Sequence, residues 1–446
     1  MEKTMWNILC LAVLISFAPQ IKAQGGTEAI SFASDAAVQS NSKDIAALRK
    51  ELDKQYDVLA KMQAQILEME ETQKKQATTI SNISNAPSAT ELKLPEKLKW
   101  IERLRFYGDF RYRVENQDFD TRSDERDRHR IRTRLGLEAI INEDWTAGLR
   151  IATGSTEIAT STNQTLGDSD DDGSAFSRKD LWLDLAYADW HPIDGLNVIF
   201  GKIENPFYAV GKHQLIWDSD LTPEGIAAKY EWSFNEAWSA QVTGGGFWIK
   251  ENSSSSDLSV FGAQGLVKYA LSDSSSLTGG VSYYDFGDLR NTTIDTDVLK
   301  QKGNTWSTNK YVYNYNMLEV FGEYGFKVGE MPMSAYGTWI TNTAARVEED
   351  KGWAIGMVLN KAKDPGSWQV GYEYRDVEAD AVVGGFSDSD FIDGGAGGKG
   401  HRFSLAYQLA KNVQAVLSYY LAERHDNAIY NGENMNLLEA DLVIKF

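Results

Sequence analysis

Residues 126–141 read RDRHRIRTRLGLEAII, and the spacing of arginine and aliphatic side chains in this stretch decides the fold. Ile131, Thr133, Leu135, Leu137, Ala139 and Ile141 take one set of alternate positions, while Arg126, Arg128, Arg130, Arg132, Arg134 and Glu138 take the other. A period of two is that of a β-strand, whose successive side chains point to opposite faces. The same alternation recurs further on. Trp353, Ile355, Met357 and Leu359 alternate with Ala354, Gly356, Val358 and Asn360. Trp368, Val370, Tyr372 and Tyr374 alternate with Gln369, Gly371, Glu373 and Arg375. Leu438, Ala440, Leu442, Ile444 and Phe446 alternate with Glu439, Asp441 and Lys445. An apolar face with aromatics towards its ends and a polar face behind it is the pattern of a strand between lipid and water.

Such runs start near residues 100, 126, 145, 178, 196, 225, 237, 258, 275, 311, 332, 352, 367, 401, 413 and 436. Their connections alternate between tight turns, such as 142–144 and 410–412, and long loops, such as 156–177, 204–224, 287–310 and 378–400. The prediction is an all-β protein, a closed antiparallel transmembrane β-barrel of about 16 strands over residues 98–446. A two-sheet sandwich would bury the apolar face equally well. Unbroken alternation with regular short and long loops favours closure, because in lipid no backbone group can stay unpaired.

Composition agrees. The chain carries a net charge of −19 with 42% hydrophobic residues, and its 13 Trp, 20 Tyr, 18 Phe and 37 Gly stand against only 8 Pro. This acidity excludes nucleic acid as a partner, since phosphate would be repelled. After the N-terminus no stretch approaches the roughly 18 apolar residues a membrane helix needs.

Ahead of the barrel, Lys3 and the apolar run 5–18 (MWNILCLAVLISFA) predict a signal peptide over 1–23, leaving a mature chain from near Gln24. The only cysteine, Cys10, falls inside it. A polar segment over 24–40 precedes six heptads at 41–85, with Ile45, Leu52, Leu59, Ile66, Gln73 and Ile80 in one core position and Leu48, Gln55, Met62, Met69, Gln76 and Ile83 in the other. A strict seven-residue repeat predicts an α-helical coiled coil, the alternative being a single amphipathic helix packed on a domain, and Gln in its core suits oligomer specification. We expect a homotrimer held by the coil and by barrel contacts. Residues 86–97, with Pro87 and Pro95, form a linker.

Several blocks carry a resemblance: the arginines 128–134 with Gly136 and Leu137, 145–150 (WTAGLR) with Thr153 and Gly154, 161–167 (STNQTLG), 201–207 (GKIENPF) and 217–225 (WDSDLTPEG). In order and spacing they resemble the Gram-negative outer-membrane "putative porin" family across roughly residues 98–446, helical segment included. The resemblance implies a pore-forming barrel in the outer membrane, with no catalytic residues or cofactor. It does not imply a particular solute.

Within that frame the residues take roles. Alternation turns Arg103, Arg105, Asp109, Arg111 and Arg113 inward and Phe106, Phe110 and Tyr112 towards lipid. Arg126, Arg128, Arg130, Arg132, Arg134 and Arg150 complete a basic wall. Arginine on the lipid face near the midplane would cost about 2–4 kcal/mol each, so the wall must face the lumen. It either favours anions or is a structural ladder neutralised by carboxylates such as Asp109 and Glu138. The connection 204–224 carries Glu204, Asn205, Pro206, Phe207, Trp217, Asp218, Asp220 and Glu224. It is too apolar to lie loose in solvent, and is expected either to fold inward as a constriction or to pack at a subunit contact. Phe446 is expected to serve as an assembly signal read by the barrel-assembly machinery. Asp168, Asp170 and Asp172 echo a Ca²⁺ loop, but Lys179 stands where a bidentate Glu is required, so no metal site is expected.

The expected function is passive diffusion of small hydrophilic solutes, anions among them, across an outer membrane of lipid and lipopolysaccharide. The alternative is an anchor whose periplasmic coil tethers that membrane to the cell wall. An enzyme in the barrel wall would need an activated nucleophile, and no Gly-x-Ser-x-Gly elbow is present.

Overall fold

The computed structural model describes residues 96–155, 159–167, 176, 178–253, 256–287, 289–290, 302–426 and 432–446, together with Lys50, Lys54, Lys61 and Glu68. The chain divides into two units, Met1–Lys93 and Leu94–Phe446. In the first, the four described residues are α-helical. The expected signal peptide and polar segment, most of the coiled coil and the first ten residues of the linker lie outside the described residues.

The second unit is a ring of strands. β1 (Leu104–Phe119), β2 (Arg126–Ile140), β3 (Trp145–Thr153), β4 (Leu181–Ile193), β5 (Leu196–Lys202), β6 (Glu224–Ser233), β7 (Trp238–Lys250) and β8 (Leu258–Ser272) make the first half. β9 (Ser275–Asp285), β10 (Asn316–Val328), β11 (Met331–Asn342), β12 (Lys351–Leu359), β13 (Trp368–Val377), β14 (Gly398–Ala410), β15 (Val413–Arg424) and β16 (Asn434–Lys445) make the second. Each strand pairs antiparallel with the next, and β16 pairs antiparallel with β1 from Asp109–Lys445 to Phe119–Met435. Sixteen strands therefore close without an edge, as the dyad pattern requires.

Two expected starts move furthest. Glu96–Arg103 forms a 3₁₀ helix, so β1 begins at Leu104 rather than near residue 100. β10 begins at Asn316 rather than near 311. Trp306–Ser307 and Lys310–Tyr311 instead form a small hairpin, because Tyr311 and Tyr315 bury their rings in the interior.

The outer face explains why this ring belongs in lipid. Phe106, Leu135, Ile226, Phe261, Val320, Ile355 and Leu405 all stand exposed there, Phe106 at 72% and Phe261 at 61%. Apolar surface on that scale is not left against water. Aromatic residues gather at both rims. Trp145 stacks on Trp190 at 5.8 Å and Trp238 on Tyr269 at 4.2 Å by the tight turns, while Trp353 meets Tyr374 at 5.3 Å by the long loops. Belts of Trp and Tyr at both interfaces mark the edges of the hydrocarbon. No helix among the described residues is long and apolar enough to cross a membrane.

The seam is tight. Gly108 and Phe446 exchange backbone hydrogen bonds of 3.0 and 3.1 Å. A Cβ at Gly108 would fall 2.3 Å from the Arg134 carbonyl oxygen and 2.7 Å from the Phe446 ring. Only glycine fits at this point of closure.

Candidate functional site: the lumen wall and the loops inside it

The interior is built from residues on the polar face of each strand. Register sets Asp109 opposite Arg134, Arg111 opposite Arg132, Arg113 opposite Arg130 and Glu115 opposite Arg128. Across the seam Asp441 lies opposite Arg113. The guanidiniums do not stand alone. Asp109 accepts from Arg132 at 2.9 Å and from Arg134 at 2.7 Å. Glu115 binds Arg128 and also Arg130, the latter at 3.2 Å. Arg113 donates to Asp441 at 2.7 Å, to Asp390 at 3.1 Å and to Glu439. Arg150 donates to Asp184 at 2.5 Å and to Glu204 at 2.7 Å. Arg105 pairs with Glu138 at 3.3 Å, and Arg111 lies 3.9 Å from Asp441. Arg103 and Arg126, expected in this wall, are exposed at its two ends, Arg103 in the 3₁₀ turn and Arg126 at the start of β2.

The wall extends further than the sequence pattern suggested. Arg375 on β13 pairs with Glu373 at 2.5 Å and Asp388 at 2.8 Å, and Arg424 on β15 with Glu433 at 3.1 Å. The arginines thus form an arc running through the seam from β13 to β3. The signal was available in the alternation of β13, where Glu373 and Arg375 occupy the polar face.

The loop 203–223 leaves β5 and enters β6, yet it reaches the far side of the ring. The Tyr208 hydroxyl donates to Glu323 on β10 at 2.9 Å, and His213 Nε2 lies 3.1 Å from Glu319. At its tip Gly211 has φ +58 and rests on the Tyr336 ring of β11, where a Cβ would come within 2.1 Å. Back on the arginine side, Asp220 meets Arg132 at 3.3 Å and Arg134 at 3.6 Å, and accepts from the Thr162 hydroxyl at 2.9 Å. Of the loop carboxylates, Glu204 and Asp220 face the arginine wall. Glu224 binds Lys202 at 2.9 Å, and Asp218 turns to another loop.

That other loop is 378–397, between β13 and β14, and nothing in the sequence reading had brought it inside. Asp218 N donates to the Phe386 carbonyl at 2.7 Å, Ser389 N to the Asp218 carboxylate at 2.8 Å, and Asp388 N to the Gln214 carbonyl at 3.0 Å. Trp217 stacks against Phe386 and Phe286. Ile203, Leu215, Ile216, Phe247, Val260, Tyr284, Phe286, Met317, Ile340, Val382, Val383 and Phe386 join in one buried apolar cluster. The interior is therefore not polar throughout, as the alternation alone had suggested. Loops that fold inward bring apolar side chains, and these need apolar partners on the wall. The apolar content of 379–392 was the signal, the same one that singled out 204–224.

Electrostatics separates the loop acids. Burial and the neighbouring Asp220 and Asp388 push the Asp218 carboxyl well above the usual carboxylate range. Burial would raise Asp220 too, but Arg132, Arg111 and Arg134 outweigh it and hold that carboxyl low. The same balance, with Arg113 leading, overcomes burial at Asp390 and holds it at about 2. Among the described residues no group of three or more His, Cys, Asp or Glu side chains could hold a metal. A cavity of about 420 Å³ opens between Arg134 and Arg150 on one wall and Tyr284 and Glu319 on the other, beneath Tyr208, Lys212 and Trp217 of the crossing loop.

A family model described as "Putative porin" matches residues 119–318 and 317–446. Among solved structures, the chain is similar to Pseudomonas putida OprB in its high-pH structure, with 12% identity and a TM-score of 0.51, covering 78% of this chain and 96% of that one. It is also similar to Salmonella typhi OmpF in complex with daunomycin, with 14% identity and a TM-score of 0.48, covering 77% and 97%. No curated protein matches.

Proposed function

The chain belongs to the "Putative porin" family and is an outer-membrane porin, and from that premise we propose that it lets small hydrophilic solutes diffuse passively through a lumen narrowed by the loop 203–223. The observation carrying this reading is the crossing of that loop from β5 to Tyr336 on β11, with Asp220 returning to Arg132 and Arg134. A solute passing this level moves between an arginine arc and a polar far wall that includes Glu319 and Glu323. Facing charges of opposite sign in a narrow, water-filled gap create a field across the pore. The carboxylates interleaved with the arginines temper the expected preference for anions, so the wall acts as ladder and selector together.

The porin needs no enzyme chemistry for this role. We propose that it assembles as a homotrimer among lipid and lipopolysaccharide, with the coiled coil on the periplasmic side and Phe446 engaging the barrel-assembly machinery. Single-channel recording in a planar bilayer tests the central claim. Stepwise conductance with weak ion selectivity is expected. An intact barrel that never conducts would transfer the argument to a tethering role.

A further inference from the structure

We propose that the segment Glu96–Arg103, which leads into β1, docks on the phospholipid surface and lies in the headgroup layer at the tight-turn rim of the barrel. Six consecutive residues here, Leu98 to Arg103, are exposed. Three of them are large and apolar: Leu98 at 40%, Trp100 at 54% and Ile101 at 38%. Apolar side chains grouped in this way mark a surface that meets something other than water.

The helix type orders these side chains. The eight residues form one 3₁₀ run, long for a conformation whose runs seldom pass three or four residues. With three residues per turn, side chains at i and i+3 eclipse. Leu98 and Ile101 therefore stand in one row, and Leu104, the first residue of β1, continues it. Leu104 shares its strand face with Phe106, which stands exposed on the lipid side. In an α-helix, at 3.6 residues per turn, the same three side chains would drift around the axis and leave this line. The 3₁₀ run thus prolongs the lipid face of β1 beyond the strand itself. Trp100 and Arg103 make the neighbouring row. An indole, apolar in body with a polar N–H, suits headgroup level, and a cation beside it suits the polar side of that layer.

The strand it joins sets the height of the segment. Arg103 donates to the Ile141 carbonyl at 3.2 Å, tying the end of the run to the turn between β2 and β3. Just past that turn Trp145 stacks on Trp190 in the aromatic belt of the same rim. The run therefore begins where the hydrocarbon ends. Its charge agrees with a lipid surface that carries anionic headgroups: Lys97, Lys99 and Arg103 outnumber Glu96 and Glu102, in a chain whose net charge is −19. A second copy of the chain would also cover an apolar row. This row, however, runs unbroken into a face that meets lipid, and lipid continues it without a change of partner.

Labelling of the full chain in vesicles of phosphatidylcholine and phosphatidylglycerol tests the proposal. Leu98→Cys, Ile101→Cys and Glu102→Cys, each with Cys10→Ser, receive a small fluorophore, and Phe106→Cys on the lipid face of β1 marks full insertion. Labels at Leu98 and Ile101 should be quenched by lipid brominated near the headgroup end of its chains and should lose quenching by aqueous iodide. The label at Glu102 should keep iodide quenching, so that access follows the period of three. Leu98 and Ile101 give independent readings, so one variant that fails to insert leaves the other to decide. Iodide reaching Ile101 or Leu98 as freely as Glu102 would place the segment in water and overturn the proposal. Shielding from both quenchers would mean that protein covers the row, and would overturn it equally.

Discussion

The carboxylate of Asp220 lies 3.3 Å from the guanidinium of Arg132, although 88 residues separate them and one belongs to a loop while the other belongs to the wall. This contact fixes one end of the crossing loop, as Gly211 on Tyr336 fixes the other.

Asp220→Asn should therefore leave Arg132 and Arg134 to Asp109 alone and loosen the loop from β2. One fewer negative charge beside the passage changes the local interaction by about 1 kcal/mol in a water-like medium. The permeability ratio is expected to move towards anions about fivefold. Reversal potentials across a salt gradient measure it, and an unmoved value would separate the loop from selectivity.

Gly211→Val attacks the opposite anchor. The residue sits at φ +58, where a β-branched side chain is strained by roughly 1–2 kcal/mol, and the new Cβ would collide with the Tyr336 ring. We expect larger and noisier conductance steps with an unchanged barrel, checked by its resistance to detergent at room temperature.

Replacing Arg128, Arg130 and Arg132 together by Gln should lower anion over cation permeability, since Glu115 and Asp109 lose guanidinium partners. Breaking enclosed ion pairs from one side costs about 3–5 kcal/mol each where burial is complete. These side chains keep 11–16% exposure, so the loss should be smaller. Denaturant midpoints and reversal potentials should fall together. Unchanged reversal potentials would confine these arginines to a structural role.

Acid should release the loop 378–397. Asp390 is held at about 2, below its ordinary value of 3.8, so it stabilises the folded loop above the ordinary value. That contribution is lost as pH falls from about 4 towards 2. Asp218 runs the other way: its carboxyl is raised, so its contribution is greatest in acid and is lost as pH climbs above the usual carboxylate range. Recording channel noise from pH 5 to 2 should show openings that Asp390→Asn makes independent of pH. A variant with the same acid response as the parent would assign the response elsewhere.

The barrel was largely legible because its signal is local. Each strand from β1 to β16 declares itself by alternation, and starts such as Arg126, Trp145, Leu196, Leu258, Ser275 and Val413 fall where the pattern placed them. The shared face of Arg111, Arg113, Arg128, Arg130, Arg132 and Arg134 was legible for the same reason, since lipid forbids the other choice. Contacts made by loops were not. That Asp218 binds Ser389, 171 residues away, rather than an arginine, or that Val382 and Phe386 join a cluster with wall residues of several other strands, depends on partners which no period records. The hairpin at Trp306–Tyr311 was missed because tyrosines suit a lipid rim and an enclosed core equally well.

The closure between β1 and β16 has a consequence for how the molecule comes into being. Arg113 and Asp441, which meet across that seam, are 328 residues apart. During synthesis the first strand must wait, with its hydrogen-bonding edge unmatched, until the sixteenth has been made. Until then the growing chain is a sticky ribbon whose every turn invites association with its neighbours. Closure is therefore the last step, and no shorter stretch of the chain can complete the cylinder.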